Sequence, residues 1–176
     1  MLETPRLILR PMHADDTDAL LHIFADPQVM AAFAVEPFAS PQMERWVRRN
    51  LEHQEAHGYG LYSVILKENG LLIGDCGLEL MEVSDTPAAE LGYDFRSDHW
   101  NRGLATEAAT AVRDHAFGPL ALPRLVSLIR QGNHASRRVA EKVGLHLAET
   151  IQRGDHPYWV YALNREDTPT SETRAH

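Results

Sequence analysis

The sequence predicts a single α/β domain, 176 residues long, built on a mixed central sheet. Three observations carry this reading. Two apolar runs in LYSVILKENGLLIGDCGLEL (61–80) flank Asn69-Gly70 as the arms of a β-hairpin would. The strand AAELGYDF (88–95), a helical stripe of alanines and the buried-type strand LPRLVSLI (122–129) succeed one another as a β-α-β crossover, a connection that is right-handed in nearly all sheets. LHLAETIQ and HPYWVYAL then pair as a last hairpin across Arg153-Gly154-Asp155.

Taken in order, RLILRP (6–11) alternates as a first strand. Asp15 and Asp16 stand where a helix bearing Leu20, Ile23 and Phe24 on one face would be capped, and Pro27 is expected to end it. Ser40-Pro41 predicts a second helix, with serine as its cap and proline in its first turn. Met43, Trp46, Val47 and Leu51 follow at helical spacing, and Gly58 and Gly60 close the segment. Asn69-Gly70 is expected to form a tight type I′ turn, because both residues tolerate positive φ. Ala105, Ala108, Ala109, Val112 and Ala116 make one apolar stripe of a helix that Pro119 ends. Asn133 is placed as the cap of a short helix with Val139, Ala140 and Val143 inward, and Gly144 follows its end. The polar stretch NREDTPTSETRAH reads as a frayed tail, so the domain is placed at 1–165 and the tail at 166–176.

Composition narrows the function. Apolar residues make up 44% and charged residues 24%, as in soluble domains. A formal charge of −8 disfavours a nucleic-acid partner but leaves room for a small anionic ligand in a locally basic pocket. No apolar run approaches a membrane span, the start MLETPRLILRP lacks the pattern of a secretory signal, and Cys76 is the single cysteine, so a cytoplasmic location is expected. Cys76 itself reads as a small buried apolar residue rather than a nucleophile. His53 and His57 lie one turn apart in HQEAH, but no third ligand is evident and Glu55 is out of place for a metalloprotease, so no metal is expected.

The chemistry concentrates in HWNRGLATEA (99–108). A helix start leaves N–H groups without partners and carries partial positive charge, so it suits anions, phosphates above all. Gly103 and Ala105 keep bulk away from those groups, and Arg102 adds a cation beside them. One strand downstream stands NHASRRVAEKVGL (133–145). A nucleotide-binding module is disfavoured, because neither G-x-x-x-x-G-K nor a full G-x-G-x-x-G is present.

W-x-R-G-x-A-T-E-A and N-x-x-S-x-x-V-x-E-K-x-G, together with T-P-R-L-I-L-R-P at the start and the AELGYDF strand, resemble the GNAT family of acyl-CoA-dependent N-acetyltransferases. They look most like its branch of ribosomal-protein N-terminal alanine acetyltransferases. The resemblance covers residues 2 to about 164. It implies a single-domain GNAT fold, whose central, mostly antiparallel sheet carries a β-α-β CoA-binding core. It also implies acetyl-CoA as co-substrate, a primary amine as acceptor, no nucleic acid or membrane partner, and a monomer or homodimer.

By the same resemblance, Arg102, Gly103, Leu104, Ala105 and Thr106 would wrap the CoA pyrophosphate. Tyr93, Asp94 and Phe95 would lie on a bulged strand that pairs with the pantetheine arm. Asn133 and Ser136 would face CoA, and Arg137 or Arg138 would reach the 3′-phosphate or adenine. Many family members carry Gln or Arg where this chain has Trp100, and a tyrosine acid where it has Ala140; Ser136, one turn earlier, is the substitute for protonating the leaving thiolate. Glu90 is the first candidate for general base, directly or through water, with Asp94 behind it. The two point to one face of a strand unless a bulge intervenes. With so little base on view, an α-amine or weakly basic amine suits the site better than a lysine. The arginines beside Trp46 (Arg45, Arg48 and Arg49) would border the acceptor groove. A protein N-terminus, an antibiotic, a polyamine and an amino acid all stay open as acceptors. The rival from another class is a non-catalytic acyl-CoA-binding sensor, which would keep the cradle but lack a base and an acceptor groove.

Overall fold

The computed structural model describes residues 1–168. The chain runs β1 (Leu2–Glu3), β2 (Leu7–Pro11), α1 (Thr17–Phe24), α2 (Pro27–Met30), α3 (Ser40–His57), β3 (Leu61–Leu66), β4 (Leu72–Val83) and β5 (Thr86–Phe95). It continues with α4 (Leu104–Phe117), β6 (Arg124–Arg130), α5 (His134–Val143), β7 (His146–Arg153) and β8 (His156–Asn164). The eight strands form one sheet in the order β1-β2-β3-β4-β5-β6-β8-β7. Every pairing is antiparallel except β5 with β6, where α4 makes the crossover. This is the mixed sheet the sequence predicts. Residues 166–168 of the expected tail continue in a short 3-10 turn, Arg165–Asp167; the rest of the tail lies outside the described residues.

Strand alternation puts apolar residues on both faces of the sheet, in three clusters, the smallest formed by Val83, Val126 and Val160. Leu78, Leu91, Leu125 and Ile129 point to one face, where they pack with Leu104, Ala108 and Val112 of α4 and Ala140 and Val143 of α5. Leu20, Ile23 and Phe24 of α1 and Met43 and Val47 of α3 form the second cluster with Leu61 and Leu72. The stripe on α4 is as expected except at its first member: Leu104 is buried in the core, and Ala105 is only half-buried and lines the cavity described below.

Several local expectations are corrected. Asp16 does not cap α1 with its side chain. Its carboxylate is held by Arg10 at 2.6 and 2.8 Å, by the His13 N–H at 2.9 Å and by the Ser63 hydroxyl at 2.7 Å. Burial alone would raise its pKa, but these donors hold it below the usual carboxylate range. Pro27 begins α2 rather than simply ending α1, and Asp26 caps it by accepting from the Gln28 N–H at 2.8 Å. Ser40 is already helical; Ala39 occupies the cap, and its N–H donates to the Gln42 side chain at 2.7 Å. Only Gly70 of Asn69-Gly70 has positive φ, so the β3–β4 loop is longer than a two-residue I′ turn. The I′ conformation falls instead at Ser84 and Asp85, with φ of 50° and 59°, where β4 turns into β5. That hairpin, ten paired positions long, is the part of the fold the sequence reading missed, and it carries the site.

Candidate active site

β5 and β6 pair only at Ala89 with Leu125 and Glu90 with Val126. Beyond that point they diverge, although β5 continues to Phe95 and β6 to Arg130. Ser127 braces the fork by donating its hydroxyl to the Leu91 carbonyl at 2.5 Å. Because successive residues of a strand turn their backbone groups to opposite edges, Leu91, Tyr93 and Phe95 all face the split. Indeed the Phe95 carbonyl accepts from the Trp100 indole N–H at 2.9 Å. The bulge implied for this strand is absent from its pairing with β4, which runs without a shift from Thr86 to Phe95.

A cavity of about 700 Å³ occupies the split and extends under α1 and α3. One end is the start of α4. No side chain caps this helix, and Gly103 takes a left-handed φ of 75° just after left-handed Asn101. The N–H groups of Leu104, Ala105 and Thr106 therefore point outward at the helix start. Arg102, Arg130, Arg138 and Lys142 line the cavity with them. Glu107 serves the scaffold: it takes hydrogen bonds from Thr4 at 2.6 Å and from Arg6 at 2.7 and 2.9 Å, tying the first turn of α4 to the N-terminal strands.

The expected residues mostly converge here. Glu90, Tyr93, Asp94, Phe95, Arg102, Gly103, Leu104, Ala105, Thr106, Asn133 and Ser136 all line the cavity. Asn133 also caps α5 through its side-chain oxygen, which accepts from the Ser136 N–H at 3.1 Å. The Ser136 carbonyl accepts from the Tyr93 hydroxyl at 2.7 Å, while the Ser136 hydroxyl has no partner among the described residues. Arg137 is the exception. It lies outside the cavity lining, with its guanidinium 5.5 Å from the Trp159 ring and 3.4 Å from Glu141, and Arg138 stands in its place. Of the three helix-borne arginines, only Arg49 lines the cavity, beside Trp46. Tyr158 of the last strand lines it too, whereas Tyr161 belongs to the main core and the partly buried Trp159 packs against that core.

Glu90 sits at the fork and is buried; its carboxylate accepts from the Leu128 N–H at 3.1 Å. Burial pushes its pKa up from 4.5 to about 8, against the pull of that hydrogen bond. Asp94 is pushed up to about 7 by desolvation and by Glu79. Two carboxylates that the sequence reading did not name join them: Asp75 and Glu79 of β4 stand directly opposite Asp94 and Glu90, and all four line the cavity. Gly77 and Gly92 pair between them. A Cβ on Gly92 would meet only the Glu90 carboxylate, at 3.3 Å, so the space above Gly92 is open.

Away from the site, Cys76 is buried, as expected. His53 of α3 accepts the Leu80 N–H of β4 at 2.8 Å, a structural bond between helix and sheet. Among the described residues, no group of three or more His, Cys, Asp or Glu is placed to hold a metal, and no helix is long and apolar enough to cross a membrane.

A forked parallel pair with an uncapped helix start at one end and carboxylates at the other can hold an anionic carrier beside a base. Residues 6–146 match the family model described as acetyltransferase (GNAT) domain, and the chain belongs to that family. It is 32% identical over 136 residues to the uncharacterized N-acetyltransferase p20 of Bacillus licheniformis, covering 77% of this chain and 76% of that protein. The crystal structure of an acetyltransferase from Agrobacterium tumefaciens superposes with a TM-score of 0.81 at 33% identity, covering 93% of each chain. The ribosomal L7/L12 α-N-protein acetyltransferase RimL, solved in complex with coenzyme A, shares the fold at a TM-score of 0.77 and 17% identity, over 92% of this chain and 95% of that one. The chain is thus an acetyl-CoA-dependent N-acetyltransferase by family.

Proposed function

We propose that this enzyme moves the acetyl group of acetyl-CoA onto a primary amine held over the β4–β5 hairpin, by direct attack without a covalent enzyme intermediate. The observation that carries the reading is the position of Glu90, at the fork where the split opens and within the same cavity as the uncapped start of α4. The residues present fit the carrier: cationic side chains and outward N–H groups for its phosphates, and the unpaired edge of β5 for its amides. Acetyl-CoA supplies the thioester carbonyl. Glu90 takes the proton that the attacking ammonium must lose, directly or through water. N–H groups on the β5 edge near Phe95 stabilise the oxyanion. As the C–S bond breaks, the Ser136 hydroxyl donates a hydrogen bond to the departing thiolate, and passes on to it the second proton lost by the attacking nitrogen, so that Ser136 ends as it began. A base and an acceptor space together favour an enzyme over an acyl-CoA sensor.

The variant Glu90→Gln tests this. It keeps the shape and removes the basicity, so the rate should fall by ~10²–10⁴-fold. With an α-amine acceptor, which titrates near ~8, wild-type kcat/KM should peak near the pKa of about 8 that Glu90 shares. The variant's rate should instead climb with the neutral fraction of the amine, so the deficit narrows only above about that pH. Wild-type rates for the variant at every pH would remove Glu90 from the mechanism.

A further inference from the structure

We infer that the acceptor is an aliphatic amine carrying a second positive charge, and that Asp75 and Asp94 receive that charge while Glu90 serves the reacting nitrogen. The inference rests on the acetyl transfer proposed above and names its substrate class. Four carboxylates share one face of the β4–β5 hairpin as two facing pairs, Asp75 with Asp94 and Glu79 with Glu90. Such a column in a cavity wall is self-repelling and needs a cation or protons to relieve it. Asp75 supplies the independent sign of a missing partner: its side chain is wholly covered, it forms part of the cavity wall, and neither carboxylate oxygen has a hydrogen bond. Buried polar groups without partners are rare in native proteins and mark an absent ligand or ion.

The opposite wall fits the same ligand. Phe24 stacks on Phe38 at 5.5 Å and meets Trp46 at 4.8 Å between ring centroids, and all three rings line the cavity. Aromatic faces over carboxylates are the surroundings an alkylammonium chain prefers. Arg49, one turn beyond Trp46, also lines the cavity, but among the described residues no ion pair joins it to the four carboxylates. The two pairs stand four residues apart along each strand, or about 13 Å at ~3.3 Å per residue. That spacing selects an extended amine with its second charge far from the first.

Thiol release with spermidine, 1,8-diaminooctane and octylamine tests the assignment, with peptides bearing Lys or Ala at their second position as a parallel arm. The two amines with a second charge should exceed octylamine in kcat/KM by about 10- to 100-fold, the worth of a charge-assisted hydrogen bond. In Asp75→Asn, and separately in Asp94→Asn, that ratio should fall toward one. A Lys-over-Ala preference that vanishes in the same variants would assign the second charge to a peptide side chain. Calorimetric titration of spermidine into the CoA-loaded protein reads the site without turnover, and its heat should vanish in Asp75→Asn. Equal kcat/KM for spermidine and octylamine with no spermidine heat overturns the inference, while acetylation of octylamine keeps the proposed function. Spermidine binding lost in Asp75→Asn, with no thiol released from any amine, supports the cation site and overturns the transfer reading.

Discussion

Glu90 is held in an unfavourable setting that its proposed role requires. Buried at the fork, it keeps its proton up to about pH 8 when folded, against an ordinary value of 4.5. Below pH 4.5 both folded and unfolded chains hold the proton. Between 4.5 and about 8 the unfolded chain releases it and the folded chain retains it, so this group makes stability fall as pH rises through that window and level off above it. Glu90→Gln stays neutral and can still accept from the Leu128 N–H. The variant should therefore gain stability over wild type as pH rises, on the order of a few kcal/mol, at ~1.4 kcal/mol per unit of displacement. Melting curves at pH 5 and pH 8.5 check this; the same gap at both would show that Glu90 is not held protonated. A variant that is more stable and less active is the expected signature of a strained functional group. That Glu90 and Asp94 share a face was legible from the period of two in a strand. Their partners were not, although the chain carries a mirrored pair of motifs, D-C-G-L-E at 75–79 and E-L-G-Y-D at 90–94. Those motifs become facing rows only once the second arm of the 61–80 hairpin is extended to Val83 and paired with 86–95 as the β4–β5 hairpin.

Among the elements, that hairpin was hidden by its turn. Asn69-Gly70 has the residues of a tight turn and forms a looser one; Ser84-Asp85 has less typical residues and makes the I′ turn. Register supplied by the long paired arms overrides the local preference, since a slip of one residue would turn the buried Leu78 and Leu91 outward. The cost stays in the turn, where Asp85 holds a φ of 59°. Asp85→Gly should remove that strain and stabilise the protein by about 1 kcal/mol. The melting temperature should then rise by roughly 2–4 °C. No change, or a loss, would mean that the side chain contributes more than its strained backbone costs. Other elements were legible because their signals are local: the left-handed glycines Gly58 and Gly144 end α3 and α5 as the sequence reading places them. Asp16 misled for the opposite reason, since its hydrogen bonds reach away from the helix to Arg10 of β2 and Ser63 of β3.

Taken whole, the molecule separates its charges along one cavity. Arg102, Arg130, Arg138 and Lys142 line it together with the start of α4, and four carboxylates line it on the β4–β5 hairpin. Around both lies a protein with a formal charge of −8. An anionic carrier therefore meets repulsion at long range and attraction only near the cradle. Salt acts on these two fields unequally. The Debye length falls from ~30 Å at 0.01 M to ~10 Å at 0.1 M, so added salt removes the distant repulsion before it weakens contacts of a few ångströms. The rate constant for CoA association should therefore rise severalfold over that range, the reverse of a globally basic binder. The dissociation rate should rise further with salt, as the contacts themselves are screened. Arg138→Gln should speed dissociation and leave the sign of the salt effect on association unchanged, because the distant field belongs to the whole surface. Stopped-flow binding at three ionic strengths measures both constants. An association rate that falls steeply with salt would mean that the basic cradle, and not the net charge, governs the approach.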